Sequence, residues 1–161
     1  MPQLPETFTP HPARDASLRS MLAVEAGDRD GWLALFAEDA VVEDPIGPSM
    51  FDPDGHGHHG HDAIGAFYDS VIGANTVRFN IKESWAAGNE VANVGRISTT
   101  LEGGTTVHTD GVFTYRVNDE GFVVALRAFW EMDRLEFESP RDTADQRDAA
   151  DRSAHDPSET A

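Results

Sequence analysis

The alternation of apolar and polar positions divides the chain into a helical first half and a strand-rich second half. Leu18, Met21 and Leu22 recur at helical spacing behind Asp15 and Ser17, either of which can cap a first helix ending at Ala26-Gly27-Asp28. Asp28 or Asp30 opens a second helix carrying Trp32, Leu33, Leu35 and Phe36, read as closing over 36–40. A short strand is expected at 40–44, followed by a long loop rich in Gly, Pro and His. Asp62 starts a third helix with Ile64, Phe67, Tyr68 and Val71 on one face. Beyond it the pattern becomes that of strands, over 76–85, 90–101, 105–117 and 122–132. Turn chemistry separates them at Gly88-Asn89, Gly103-Gly104 and Asn118-Asp119-Glu120-Gly121. Helices first and an antiparallel meander afterwards predict an α+β fold, with the helices against one face of a curved sheet.

The two ends follow neither period. Residues 1–14 hold four prolines and read as an irregular arm. From 140 to 161 the chain is acidic and lacks any large apolar residue, so it is expected to be a disordered tail or at most a transient helix. The folded domain is therefore placed at 15–139. No apolar run approaches the ~20 residues of a membrane span. The first residues lack the charged-then-apolar order of a signal peptide, which makes the cytoplasm the default location. The absence of cysteine removes disulfides and thiolate chemistry. A net charge of −17, with Lys82 as the single lysine and the arginines scattered, argues against nucleic acid or an anionic membrane as a partner.

Candidate chemistry begins at Val42-Glu43-Asp44-Pro45-Ile46-Gly47. Asp44 stands where a strand must break, because Pro45 has no amide proton and Gly47 favours a turn. Such a carboxylate is either a turn-starting Asp or a general base at the mouth of an apolar element. Along the last strand, alternation puts Leu126, Ala128 and Trp130 on one face and Arg127 and Phe129 on the other. His108 and Asp110, two residues apart, share a face of their strand. His56, His58, His59 and His61 cluster within the loop over 48–61, where imidazoles can bind divalent metal or, as part of a mobile lid, let His59 or His61 carry protons. Glycines at 55, 57 and 60 leave these ligands unfixed, and no resident metal is expected.

The strings Ala26-Gly27-Asp28-Arg29-Asp30-Gly31, Leu35-Phe36-Ala37-Glu38-Asp39-Ala40 and Val42-Glu43-Asp44-Pro45-Ile46-Gly47 resemble the NTF2-like superfamily, and within it the ketosteroid isomerase and SnoaL-like group. Ile64 with Phe67-Tyr68, and the stretch from Val123 to Trp130, extend the resemblance over about 17–134. It implies a cone in which a bent sheet wraps three helices around an apolar pocket, with Phe67, Leu126, Ala128 and Trp130 lining it. It also implies a cofactor-free enzyme acting on a small apolar carbonyl compound, steroid- or polyketide-like, with Asp44 as the proton-abstracting base, and a homodimer. Double-bond isomerisation is the leading reaction. A cyclase, dehydratase or epoxide hydrolase, or a domain that binds without catalysis, are the alternatives. Two departures stand out. Ser20 occupies the place of the isomerases' oxyanion-stabilising tyrosine, leaving Asp110, His108 or Tyr68 as replacement donors. The segment 48–61 is an insertion relative to that group.

Overall fold

The computed structural model describes residues 1–5 and 8–154. The chain runs α1 (Pro12–Ala26), α2 (Arg29–Leu33), β1 (Phe36–Glu43), β2 (His58–His59), α3 (Gly60–Phe67), a π-helical turn (Tyr68–Ile72), then β3 (Thr76–Ala87), β4 (Glu90–Thr100), β5 (Thr106–Val117), β6 (Val123–Phe129), β7 (Glu136–Glu138) and α4 (Pro140–Ala154). One seven-stranded mixed sheet has the order β2-β1-β6-β5-β4-β3. β3 to β6 form the antiparallel meander, and β1 joins β6 in parallel. β4 occupies one edge of β5 along its whole length, so β6 and β7 share the other, β7 pairing Thr106 with Glu138. This is the expected α+β fold, a curved open sheet with helices on its concave face.

The curvature has a local cause. Gly95 of β4 stands opposite Gly111 of β5. A Cβ at Gly95 would lie 2.3 Å from the Asn80 carbonyl oxygen, and one at Gly111 would lie 2.5 Å from that of Phe129. Strands can approach this closely only where side chains are missing. A register shift in β3 between Ile81 and Glu83 sits beside the glycine pair and adds to the bend.

α1 is capped at His11, whose Nδ1 accepts from the Ala13 amide at 3.1 Å, and closes on Gly27 at φ 68°. It therefore begins three residues before the folded domain was expected to start. Its buried stripe is Ala13, Ala16, Ser17, Ser20, Met21 and Val24, while Leu22 is exposed. The large leucines suggested a different face. The stripe that packs is small and hydroxylic because it must leave room for a cavity. Arg14 anchors the helix to the sheet, donating from Nε to Ser84 Oγ at 3.0 Å and also to the Thr9 carbonyl.

Three further boundaries differ from expectation. The second helix stops at Leu33, and the strand begins at Phe36 rather than at residue 40. Trp32, Leu33 and Phe36 satisfy a helical period, but Val123 donates its amide to the Leu35 carbonyl at 2.8 Å and pairs with Phe36, which draws the segment into the sheet. The loop over 48–61, expected to be floppy, is tied around Asp52, which accepts from the amides of Gly57 (2.8 Å), Gly55 (3.1 Å) and His56 (3.3 Å). Pro140–Ala154, in the tail expected to be disordered or at most transiently helical, form α4. Its Ala, Arg and Gln content favours a helix even where nothing apolar can be buried. The remainder of that tail, 155–161, lies outside the described residues. None of the described helices is long and apolar enough to cross a membrane.

Candidate active site

Between α1, α3 and the concave face of the sheet lies a cavity of about 450 Å³. Its walls are apolar, including Phe67 and Val71 from the third helical segment, Phe79 and Ile97 from the sheet, and Met132, Leu135 and Phe137 from the segment after β6. Its polar side chains are Asp44, Ser20, Tyr115, Asn93 and the indole of Trp130, together with Ser70, Asn75, Thr99 and Thr109.

Asp44 follows β1 immediately, where Ile46 turns to donate its amide to the Ala128 carbonyl at 3.0 Å. The carboxyl is half-buried, its accessible surface belonging to the cavity wall. Trp130 Nε1 donates to Asp44 Oδ1 at 2.7 Å. Burial among apolar side chains lifts the Asp44 pKa above the ordinary carboxylate range, while the Trp130 hydrogen bond and the nearby His58 pull in the opposite direction. Oδ2 has no hydrogen-bond partner among the described residues and is the oxygen available to a ligand.

Alternation along β5 decides which donors face Asp44. Val107, Thr109, Phe113 and Tyr115 line the cavity, so the intervening residues point outward. Asp110 and His108 are therefore corrected as pocket residues. Asp110 is held by Arg96 on the outer face through two hydrogen bonds of 2.9 and 2.6 Å, and that guanidinium keeps its carboxyl below the usual range. His108 lies on the same outer face, between Ser98 Oγ at 2.8 Å and Glu138 Oε2 at 3.0 Å. Tyr68 is also corrected: it is buried against Trp32, ring centroids 5.3 Å apart, and does not line the cavity. Ser20, Phe67, Leu126 and Trp130 do line it. Ala128 faces inward but is sealed beneath the wall rather than part of it.

A polar residue of the cavity that the sequence reading missed is Tyr115. Its phenol, buried on β5, reaches across to α1 and meets Ser20 Oγ at 3.0 Å. Trp32 Nε1 donates to the same oxygen at 2.9 Å. Ser20 Oγ and the Tyr115 hydroxyl share one hydrogen bond in which either oxygen can be the donor. With Ser20 donating, the bonds run Trp32 to Ser20 to Tyr115 and the phenolic proton is free for a ligand in the cavity. Burial, with the Asp44 charge adding to it, pushes the Tyr115 pKa up to about 12 despite the bond to Ser20. The signal was present as Phe113 and Tyr115 on a shared face of β5, opposite in parity to Asp110.

The loop histidines serve the scaffold. His61 bonds the Phe36 carbonyl at 2.8 Å, His59 the His56 carbonyl at 2.6 Å, and His58 packs its ring on Phe67 at 4.8 Å. Among the described residues no three His, Asp or Glu side chains converge as a metal site.

A cone of sheet and helices enclosing an apolar cavity with one carboxylate in its wall defines a class of small-molecule pocket proteins. The chain belongs to the SnoaL-like domain family, whose model matches residues 18–126. It is similar to the Δ5-3-ketosteroid isomerase from a Mycobacterium species, with 43% identity over 79% of this chain and 98% of that one, at a TM-score of 0.76. RV0760c from Mycobacterium tuberculosis matches with 41% identity over 82% of this chain and all of the other, at a TM-score of 0.77. A further structure of RV0760c is a complex with estradiol-17β-hemisuccinate. The epoxide hydrolase/cyclase-like enzyme SalBIII shares the fold at 23% identity, covering 78% of this chain and 95% of its own, with a TM-score of 0.68.

Proposed function

We propose that the protein is a cofactor-independent acid–base enzyme that moves a proton beside the carbonyl of an apolar ring compound. Asp44 Oδ2 takes the proton from the carbon next to the carbonyl, and the released electron pair moves onto the carbonyl oxygen. Tyr115 donates to the enolate so formed. The protonated Asp44 then returns the proton to a second carbon of the conjugated system, which shifts the double bond and regenerates the carboxylate. A tuned carboxylate paired with a phenol donor is the pattern of ketosteroid isomerase.

The observation that supports the reading most is that Asp44 and Tyr115 lie in one buried apolar cavity, close enough for the Asp44 charge to raise the phenol's pKa. The likeness to a mycobacterial ketosteroid isomerase and the steroid ester held by RV0760c favour a steroid-sized ligand. The test is migration of the double bond in a β,γ-unsaturated ketosteroid, followed by ultraviolet absorbance. Asp44→Asn is expected to abolish turnover, and Tyr115→Phe to lower it by about 10²–10³-fold, as for loss of an oxyanion donor. An unchanged rate in Tyr115→Phe removes Tyr115 from the mechanism. Tight steroid binding without turnover in the unaltered protein establishes the binding-domain alternative, which the replacement of the family's tyrosine by Ser20 keeps in play.

A further inference from the structure

One polar side chain in the cavity wall has no part in the proton transfer, and its orientation is fixed. Asn93 of β4 is 2% exposed and lines the cavity. Its Nδ2 donates to Ser17 Oγ at 3.1 Å, and Ser17 gives its own proton to the Arg14 carbonyl at 2.8 Å. Ser17 Oγ is therefore the acceptor, which settles which end of the amide faces α1. Oδ1 is the end left over. It accepts no hydrogen bond from a described residue, yet it is not among their sealed, unpartnered polar atoms. With the residue otherwise buried, Oδ1 is open to the cavity.

Asn93 and Tyr115 are parallel rungs between sheet and helix. Asn93 stands opposite Phe113, two residues before Tyr115, so the two are diagonal neighbours on the concave face. Their partners Ser17 and Ser20 lie one turn apart on α1. Residues at that helical spacing are about 5–6 Å apart, and diagonal neighbours on a sheet about 7–8 Å. The Tyr115 hydroxyl and the Asn93 amide therefore face the cavity from neighbouring strands, within reach of one ligand.

We propose that Asn93 reads a hydrogen-bond donor on the ligand, and that the substrate class is a hydroxylated ring ketone. Its carbonyl meets Tyr115, and an O–H on the same or the fused ring donates to Asn93 Oδ1. This rests on the acid–base reading of the cavity. A ring with a single oxygen at its reacting end covers Oδ1 with carbon and leaves a buried acceptor unpaired, whereas a hydroxyl satisfies it. Sites built around such a bond discriminate strongly against the analogue that lacks it.

Three matched probes test this, with binding followed by quenching of tryptophan fluorescence, since Trp32 and Trp130 both border the cavity. The probes are 1-tetralone, 7-hydroxy-1-tetralone and 7-methoxy-1-tetralone, the last keeping the oxygen without the proton. The hydroxy compound is expected to bind at least about 10-fold more tightly than the other two. In Asn93→Leu that preference disappears while 1-tetralone still binds. Where the leucine variant does not fold, the hydroxy-to-methoxy comparison in the unaltered protein decides by itself. Equal affinity for those two compounds, or a preference that survives in Asn93→Leu, overturns the role of Asn93. If none of the three binds, this inference falls, while the ketosteroid assay decides the proposed function separately.

Discussion

Asp44 is held in a setting that favours its neutral form, and that has a cost at neutral pH. Its pKa is raised by folding, so the folded chain binds this proton more tightly than the unfolded one. Its effect on stability is therefore harmless in acid and becomes destabilising as pH rises through the window between the ordinary carboxylate value and the raised one. Asp44→Asn, which still offers Trp130 an acceptor, is expected to be more stable than the natural protein at neutral pH by about 1 kcal/mol. The advantage should vanish in acid. Thermal melts across pH check this, and a lower melting point for Asp44→Asn at neutral pH contradicts it. Asp44 was legible because the residues around it form a specific string. Tyr115 was not, because a donor's identity here depends on strand parity. Asp110 is one residue from an inward position, and that single step carries it to the outer face. Ser20 read as a lost tyrosine, whereas its small side chain meets the phenol of Tyr115, which arrives from the facing strand.

At the scale of elements, the loop between β1 and β2 is the feature that composition described least well. Its glycines and histidines suggested mobility, but the arrangement depends on Asp52, whose carboxylate collects three backbone amides in one small turn. The Gly57 amide, first among them, holds the Asp52 pKa below the usual range. A depressed folded-state pKa contributes stability that is complete above the ordinary carboxylate range and is lost as pH falls through the depressed value. Asp52→Asn is expected to lower the unfolding free energy at neutral pH by about 1–3 kcal/mol. The gap should close in acid, and urea titrations at the two pH values measure it. A gap that does not narrow in acid removes the carboxylate charge as its cause. The misplaced boundary of α2 has the same kind of origin. Trp32 and Phe36 fit a helical period, and the long-range pairing of Phe36 with Val123 overrules it.

For the whole molecule, the order of helices and meander was readable from the change of period and from the glycine or asparagine in each meander turn. What periodicity could not supply was β7. The three residues Glu136–Glu138 are too short to show a period, and they become a strand only because β6 stops and leaves the rest of that edge of β5 open. Yet β7 places Phe137 at the cavity mouth, with Leu135 just before it. On the opposite side of the same strand, Glu136 meets Arg96 at 2.9 Å and Glu138 meets His108 at 3.0 Å. An apolar gate is thus fastened by one solvent-exposed ion pair, Arg96 with Glu136, and by the hydrogen bond between His108 and Glu138. The traffic of an uncharged ligand through this mouth should therefore respond to dissolved electrolyte. Screening shortens from about 10 Å at 0.1 M salt to about 3 Å at 1 M, and exposed pairs are worth under about 1 kcal/mol each, so release should quicken by a few-fold between those conditions. Stopped-flow dissociation of a bound ring ketone in sodium chloride measures this directly, and a rate indifferent to salt means that the ties do not hold the gate.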